Sequence, residues 1–359
     1  MTMSLFPQES TILLHDLAAI ANEISVPWAK LKDKTVLVTG ATGLMGGLLV
    51  KAILYANQVH HNRTRVIALV RSREKAESTF SAYSACSELQ FLEGDILSPL
   101  AVEGTVDYVF HAASVTQSKS FVQAPVETIK TTLWGTDNLL RFAQEHRVAS
   151  MVYLSTMEVY GAVGKQGKVA ETDFGYIDPF QVRSSYPESK QAAETLCCAY
   201  HSQHGVPVKT ARLTLTFGPG IFLEDNRVFA QFCASARRGE DIVLHTPGDT
   251  ERDYLYTADA ITALLIILLS GQNGEAYNVA NSDTYISIRD MAKLVATECT
   301  QGKINVVINT PDNVEKLGYA PTVKINLDTQ KLNALGWQAK TSLKDMHKNL
   351  LMYLEEITS

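Results

Sequence analysis

Tyr186 and Lys190 stand four residues apart in "YPESK", ahead of the amphipathic stretch "QAAETLCCAY". On a helix that spacing puts both side chains on one face. An ammonium beside a phenol lowers the phenol pKa and lets tyrosinate take a proton at working pH. A second chemical group lies in "STMEVYG" (155–161), directly after the apolar run "MVYL". There a hydroxyl (Thr156), a thioether (Met157) and a carboxylate (Glu158) follow one another where a strand opens into a loop. Thioether sulfur carries no exchangeable proton, so Met157 cannot act as an acid. Glu158 either does chemistry or is tied up in a salt bridge or loop hydrogen bond.

A third cluster binds rather than reacts. "TGATGLMG" sets Gly40, Gly43 and Gly46 between the strand "TVLV" and a helix beginning near Leu44. Such glycines let the backbone turn tightly and approach a pyrophosphate, whose charge is stabilised by the free N–H groups and dipole of the helix start. In this strand–turn–helix setting the cluster reads as a dinucleotide site, with Thr42, Leu44 and Met45 sharing the turn. The second strand ends in "ALVRSRE", which offers Arg71 and Ser72 and no carboxylate before Glu74. A cation there suits an adenosine 2'-phosphate, so NADP is favoured over NAD. Asp95 and Ile96 in "GDI" are placed to meet the adenine.

The elements that must hold these groups alternate regularly. "TVLVTG" (35–40), "RVIALV" (65–70), "LQFLEGD" (89–95), "VDYVFHAA" (106–113), "MVYLST" (151–156) and "VPVKTARLT" (206–214) are short, apolar or β-branched, and mostly separated by helical stretches. That pattern predicts an α/β fold, a doubly wound parallel sheet with helices on both faces. The expected division is a helical extension over 1–33, a dinucleotide domain over 34–213 to which 253–281 return, and a smaller discontinuous lobe from 214–252 and 282–359. In the extension, Ser10 or Thr11 offers an N-cap, and Leu13, Leu14, Leu17, Ala21 and Ile24 recur at helical spacing. The loop 161–180 reads as a mobile lid.

Bulk properties exclude other classes. A net charge of −6 argues against nucleic acid or an anionic membrane as the main partner. The five cysteines include no pair or cluster at metal-ligand spacing, so no metal site and a reduced cytoplasm are expected. Cys197 and Cys198 read as core or contact residues. No secretory signal is visible at the start. The longest apolar run, "AITALLIILL" (260–269), is too short to span a bilayer and reads as a buried helix.

"TGATGLMG", "HAAS" (111–114), "GTDNLL" (135–140), "STMEVYG", "YPESK", "RLTLTFGPG" (212–220), "RDYLYTADA" (252–260) and "GEAYNVAN" (274–281) follow one another in an order and spacing that resemble the extended short-chain dehydrogenase/reductase family. The resemblance is to its nucleotide-sugar epimerases, dehydratases and decarboxylases, and it covers roughly 34–345. It implies NAD or NADP as cofactor and a nucleotide-diphosphate sugar as substrate. Tyr186 would deprotonate a sugar 4-hydroxyl as hydride leaves C4, Thr156 would hydrogen-bond the same oxygen, and Lys190 would hold the nicotinamide ribose. Arg252 would sit on the substrate diphosphate. His111, Ala112 and Ala113 would lie at a cofactor-facing strand end, His111 in a hydrogen-bonding role. The family commonly dimerises through two helices, here 125–146 and 186–204.

Within the group the reaction turns on position 157, taken as substrate-facing. Dehydratases usually read Thr-Asp-Glu, with the Asp protonating the departing hydroxyl, so Met157 disfavours them. Decarboxylases of nucleotide-linked glucuronic acid read Thr-Ser-Glu, which keeps Glu158. Epimerases usually have small or hydroxylic residues at both seats. Thr132 and Leu215 also replace residues that are usually Asn. The first expectation is a 4-epimerase; the alternatives are a uronic acid decarboxylase using Glu158, an NADPH-dependent 4-ketoreductase suited to Arg71, and a non-catalytic cofactor-binding protein.

Overall fold

Thr35–Thr39 (β1), Arg65–Val70 (β2), Leu89–Glu93 (β3), Tyr108–His111 (β4), Ser150–Thr156 (β5), Val208–Leu213 (β6) and Ala276–Val279 (β7) form one seven-stranded sheet. The computed structural model describes residues 6–310 and 322–358. Strand order is β7-β6-β5-β4-β1-β2-β3, and every neighbouring pair is parallel. β1, β4 and β6 are buried at every position, as strands covered on both faces must be. The order reverses between β1 and β4, and at that switch point a crevice opens at the carboxyl ends of the strands.

The covering helices are α1 (Thr11–Ala21), α2 (Leu44–His60), α3 (Pro125–Glu145), α4 (Ser185–His204), α5 (Thr257–Ser270) and α6 (Leu343–Glu356). α3 and α4 pack side by side on one face of the sheet, while α5 lies against β5 and β6 on the other, touched by α1 and α2. α5 is apolar all round because it is enclosed all round: Ala260 to Leu269 are buried without exception. Among the described residues no helix is long and apolar enough to cross a membrane.

The sequence reading placed β7 only within a returning segment; in the structure Ala276–Val279 forms an edge of the central sheet beside β6. The return begins later than expected, since Glu251–Tyr256 pairs with Asn281–Ser287, Lys324–Leu327 and Leu215–Phe217 in a separate five-stranded sheet. The loop 161–180 also joins that sheet. Its Lys168–Val169 pairs with Asn326–Leu327, and Ala162 bridges Tyr176. Residues 311–321 of the expected lobe lie outside the described residues.

α1 is capped by Ser10, whose Oγ accepts from Leu13 N, and it buries Leu13, Leu17, Ile20 and Ala21 in the main core. Ile24 does not extend that face. The helix ends at Ala21, and Ile24 is 97% exposed in the turn beyond it. α1 also carries the buried Asp16, which accepts from Tyr256 Oη at 2.7 Å. Burial raises its pKa from 3.8 to about 7, the hydrogen bond from Tyr256 opposes this, and the charge of Asp259 adds to it. The folded state therefore holds this proton more tightly than the unfolded chain does, and the associated stability is lost as pH rises from 3.8 through about 7. Asp16→Asn cannot ionise, so its Tm should fall less than the wild-type Tm across that window. Parallel Tm–pH curves for the two proteins would show that Asp16 does not carry the effect.

Candidate active site

Thr156 ends β5 where the sheet edge gives way to a tight turn, Met157–Tyr160. Its Oγ1 accepts from Glu158 N at 3.2 Å, which fixes the hydroxyl at the mouth of the strand. Facing it, the first turns of α4 bring Tyr186 and Lys190 onto one buried face, and Ser185 Oγ ties the helix start to Phe121 O at 2.9 Å. Lys190 Nζ donates to Leu154 O at 2.8 Å and lies 4.7 Å from the Tyr153 ring centroid and 6.0 Å from that of Tyr186. The hydroxyl, phenol and ammonium of the sequence motifs are thus neighbours at the carboxyl end of β5.

Their electrostatics differ from the sequence expectation. Burial pushes the Tyr186 phenol well above its ordinary value and the charge of Glu158 adds to this; a hydrogen bond with Thr156 and the guanidinium groups of Arg183 and Arg227 pull it back only in part. An adjacent ammonium was expected to lower the phenol, yet the cost of desolvating phenolate dominates. Lys190 itself falls from 10.5 to about 8 because it is buried, with Glu194 opposing.

Phe121, on the short helix Ser118–Gln123, had no signal in the motifs. Its ring stacks on Tyr186 with centroids 4.2 Å apart and planes at 5°, and the Arg183 guanidinium carbon lies 5.8 Å from the Phe121 ring centroid. Arg183 Nη1 also donates to Glu158 Oε2 at 2.8 Å, so Glu158 is held in an ion pair. Met157 is 5% exposed and packs with Val159, Val169, Ile325 and Leu327, while its Sδ accepts from Thr214 Oγ1 at 3.3 Å. The residue taken as substrate-facing is thus part of a small apolar core between the turn and the second sheet. Thr214 is fixed in turn by Asp253, whose carboxyl burial raises to about 6. Arg252, next in line on the same strand, has its Nε buried and without a hydrogen-bond partner among the described residues.

The glycine turn follows β1. Gly40 has φ +64°, and a Cβ there would meet Ala113 N at 2.7 Å; a Cβ on Gly46 would meet Gly40 O at 2.3 Å. Both positions therefore demand glycine. Gly43 caps α2 without a side chain, so the first-turn amides, through Leu44 and Met45, have no side-chain acceptor and can receive a phosphate. A cavity of about 340 Å³ beside the turn is lined by Thr42, Gly43, Leu44 and the 220–224 loop. The cradle thus fits a dinucleotide pyrophosphate.

The remaining cofactor candidates divide. Arg71 is exposed past the end of β2 and makes no hydrogen bond or ion pair among the described residues, whereas the Ser72 hydroxyl is occupied in capping Arg73–Thr79. Asp95 is exposed and accepts from Leu97 N at 2.9 Å. Ile96 is buried, and a Cβ on Gly135 would come within 3.0 Å of it, so its side chain serves the α3 packing. His111 ends β4, its two ring nitrogens engaged by Thr39 Oγ1 at 3.0 Å and Thr136 Oγ1 at 3.1 Å. Burial, then the charge of Lys190, lowers it to about 3 and keeps it neutral. Ala112 and Ala113 close over Gly40. Asn278 is fully engaged by Tyr160 Oη, Val169 O and Asp328 O. Burial pushes the Cys197 thiol up, away from thiolate.

Residues 36–280 match the model of the NAD dependent epimerase/dehydratase family. An Arabidopsis thaliana protein named UDP-glucuronic acid decarboxylase 6 is 31% identical over 313 residues, 86% of this chain and 85% of the relative. Among solved structures, UDP-glucose 4-epimerase from Thermotoga maritima superposes with a TM-score of 0.74 at 22% identity, covering 90% of this chain and 100% of that one. UDP-glucuronic acid 4-epimerase from Bacillus cereus, solved with NAD, gives a TM-score of 0.73 at 21% identity, covering 90% and 100%. At such identities these structures establish the shared architecture. With the glycine cradle, the sheet order and the family match in agreement, the chain belongs to the NAD dependent epimerase/dehydratase family and is an enzyme of it, with NAD or NADP as its cofactor.

Proposed function

We propose that this enzyme acts on a nucleotide-diphosphate sugar through a transient 4-keto sugar, and that the sugar is a uronic acid which loses its carboxyl group. The observation that carries the first part is the convergence of Thr156, Tyr186 and Lys190 at the end of β5. The second part is supported by the relative at 31% identity and by the chemistry that Met157 leaves open.

When bound, the nicotinamide supplies the acceptor and donor of hydride at C4. The chain supplies the rest. Gly40, Gly43 and the first turn of α2 hold the pyrophosphate, and Lys190 holds the ribose. Tyr186 must be ionised to take the proton from the C4 hydroxyl, so burial, which favours the phenol, keeps the reactive tyrosinate a minor form, with Thr156 steadying the oxygen. Arg252, whose Nε lacks a partner among the described residues, receives the substrate diphosphate. A C4 ketone makes a uronic acid a β-keto acid. Its C5–C6 bond breaks with the electron pair flowing to the C4 oxygen, where the Tyr186 phenol and Thr156 donate hydrogen bonds. A phenol whose pKa is raised by burial suits that donor role. Glu158, whose charge the phenol feels, is the candidate to manage the proton at C5. No acid is required at position 157, whereas expulsion of water would require one.

Epimerisation at C4 is the second reading. It is favoured by the Glu158–Arg183 ion pair, because a ketone that only turns over and is reduced needs no further carboxylate. A homodimer through α3 and α4 remains our expectation, with Val126, Ile129 and Trp134 exposed on α3.

The test is incubation of the purified protein with UDP-, dTDP-, CDP- and GDP-linked sugars, uronic acids included, followed by mass and NMR analysis of products. Loss of carbon dioxide is expected. Unchanged mass with inverted C4 would make it an epimerase, loss of water would overturn the argument from Met157, and net NADPH oxidation would make it a reductase. Tyr186→Phe should lower turnover by about 10²–10⁴-fold; undiminished activity would remove the phenol from the reaction. Separately, Arg71→Ala should weaken NADP binding by roughly tenfold, the scale of one charge-assisted hydrogen bond, and leave NAD binding unchanged. Equal effects on both, read by dinucleotide titration, would mean that Arg71 does not meet the 2'-phosphate.

A further inference from the structure

Glu194 lies four residues beyond Lys190 on α4, at the node of a buried polar network. Its carboxylate accepts from Ser155 Oγ at 2.5 Å, from Arg212 Nε at 3.1 Å to each oxygen, and from Arg212 Nη2 at 2.6 Å. Arg212 Nη1 continues to Tyr160 Oη at 2.9 Å and Glu171 O at 2.7 Å. The Arg212 and Glu194 side chains are only 6% and 11% exposed. Each contact reaches a different part of the site. Ser155 immediately precedes Thr156 on β5, Arg212 lies on β6, Tyr160 closes the turn that holds Met157 and Glu158, and Glu171 belongs to the loop after it.

We propose that Glu194 is a positioning residue: through Ser155 and Arg212 it sets the register of α4 against β5, one helical turn from the Lys190 ammonium. One carboxylate thereby aligns the three groups that the proposed reaction uses, and the inference rests on that reading of the site. Around Lys190 stand His111 from β4, Tyr153 from β5, and Tyr186 and Cys197 from α4. His111 is neutral, and burial keeps the Tyr153, Tyr186 and Cys197 groups protonated, so Glu194 is the carboxylate that acts on the ammonium. Burial has already brought Lys190 down to about 8 against the pull of Glu194. Neutralising Glu194 must lower it further, so the ammonium is lost at a lower pH.

Glu194→Gln keeps the shape and removes the charge. Because it leaves Arg212 buried without its partner, the double variant Glu194→Gln/Arg212→Gln is made beside it, and Glu194→Asp serves as the charge-preserving control. Two quantities are followed against pH: kcat/KM on the substrate identified from the sugar panel, and NADH affinity by fluorescence in the absence of sugar. The alkaline fall in both should move to lower pH by about one unit in the Gln variants and stay in place in Glu194→Asp. Folded Gln variants whose alkaline limb and NADH affinity track the wild type would reduce Glu194 to a strut and overturn the proposal. That result would leave the Tyr186 mechanism standing, whereas full activity in Tyr186→Phe would remove the mechanism itself.

Discussion

A buried ammonium has few places to go. Lys190 donates to the carbonyl of Leu154, two residues short of the end of β5, and sliding α4 along the sheet would strip the charge of that acceptor. The cost of an unpaired charge inside the protein therefore locks helix to strand. Tyr186, one turn earlier on α4, and Thr156, two residues later on β5, meet because of that lock. The seven-stranded sheet fixes where β5 ends, the switch point between β1 and β4 fixes where the glycine turn opens, and the lysine ties the two halves of the site together.

The same low-polarity setting explains the protonation states. His111 is neutral and doubly hydrogen-bonded, the Tyr186 phenol is held protonated, and the lysine is poised near neutrality. Burial is the first cause in each case. The cations and carboxylates around the site adjust these states without reversing them, as the raised phenol demonstrates despite two arginines and a hydrogen bond pulling the other way.

Much of this was legible in the chain, and unevenly so. Short runs rich in apolar or β-branched residues located six of the seven strands; the seventh, Ala276–Val279, has four residues with Asn278 among them and was legible only as part of a returning segment. Glycine spacing marked the cradle, since the backbone geometry at Gly40 and Gly46 admits nothing larger. Side-chain direction was not legible. Met157 stands between Thr156 and Glu158 in sequence, yet the tight turn after β5 points it into an apolar cluster that includes the distant Val169, Ile325 and Leu327. Phe121 carries no motif, and only the fold reveals that it roofs the phenol. Ile24 continued a helical period that the chain had already abandoned at Ala21.

The short strand Lys168–Val169 lies in the loop following the chemical turn, and its hydrogen-bonding partners are Asn326 and Leu327, far along the chain. Contacts so distant in sequence form late, because the entropy of closing the intervening chain must be met first. During synthesis the sheet, the glycine turn and α4 can all be in place while this segment still lacks its neighbour. The apolar cluster around Met157 consequently cannot close until the chain has reached Leu327, well after the glycine turn and α4 have been made.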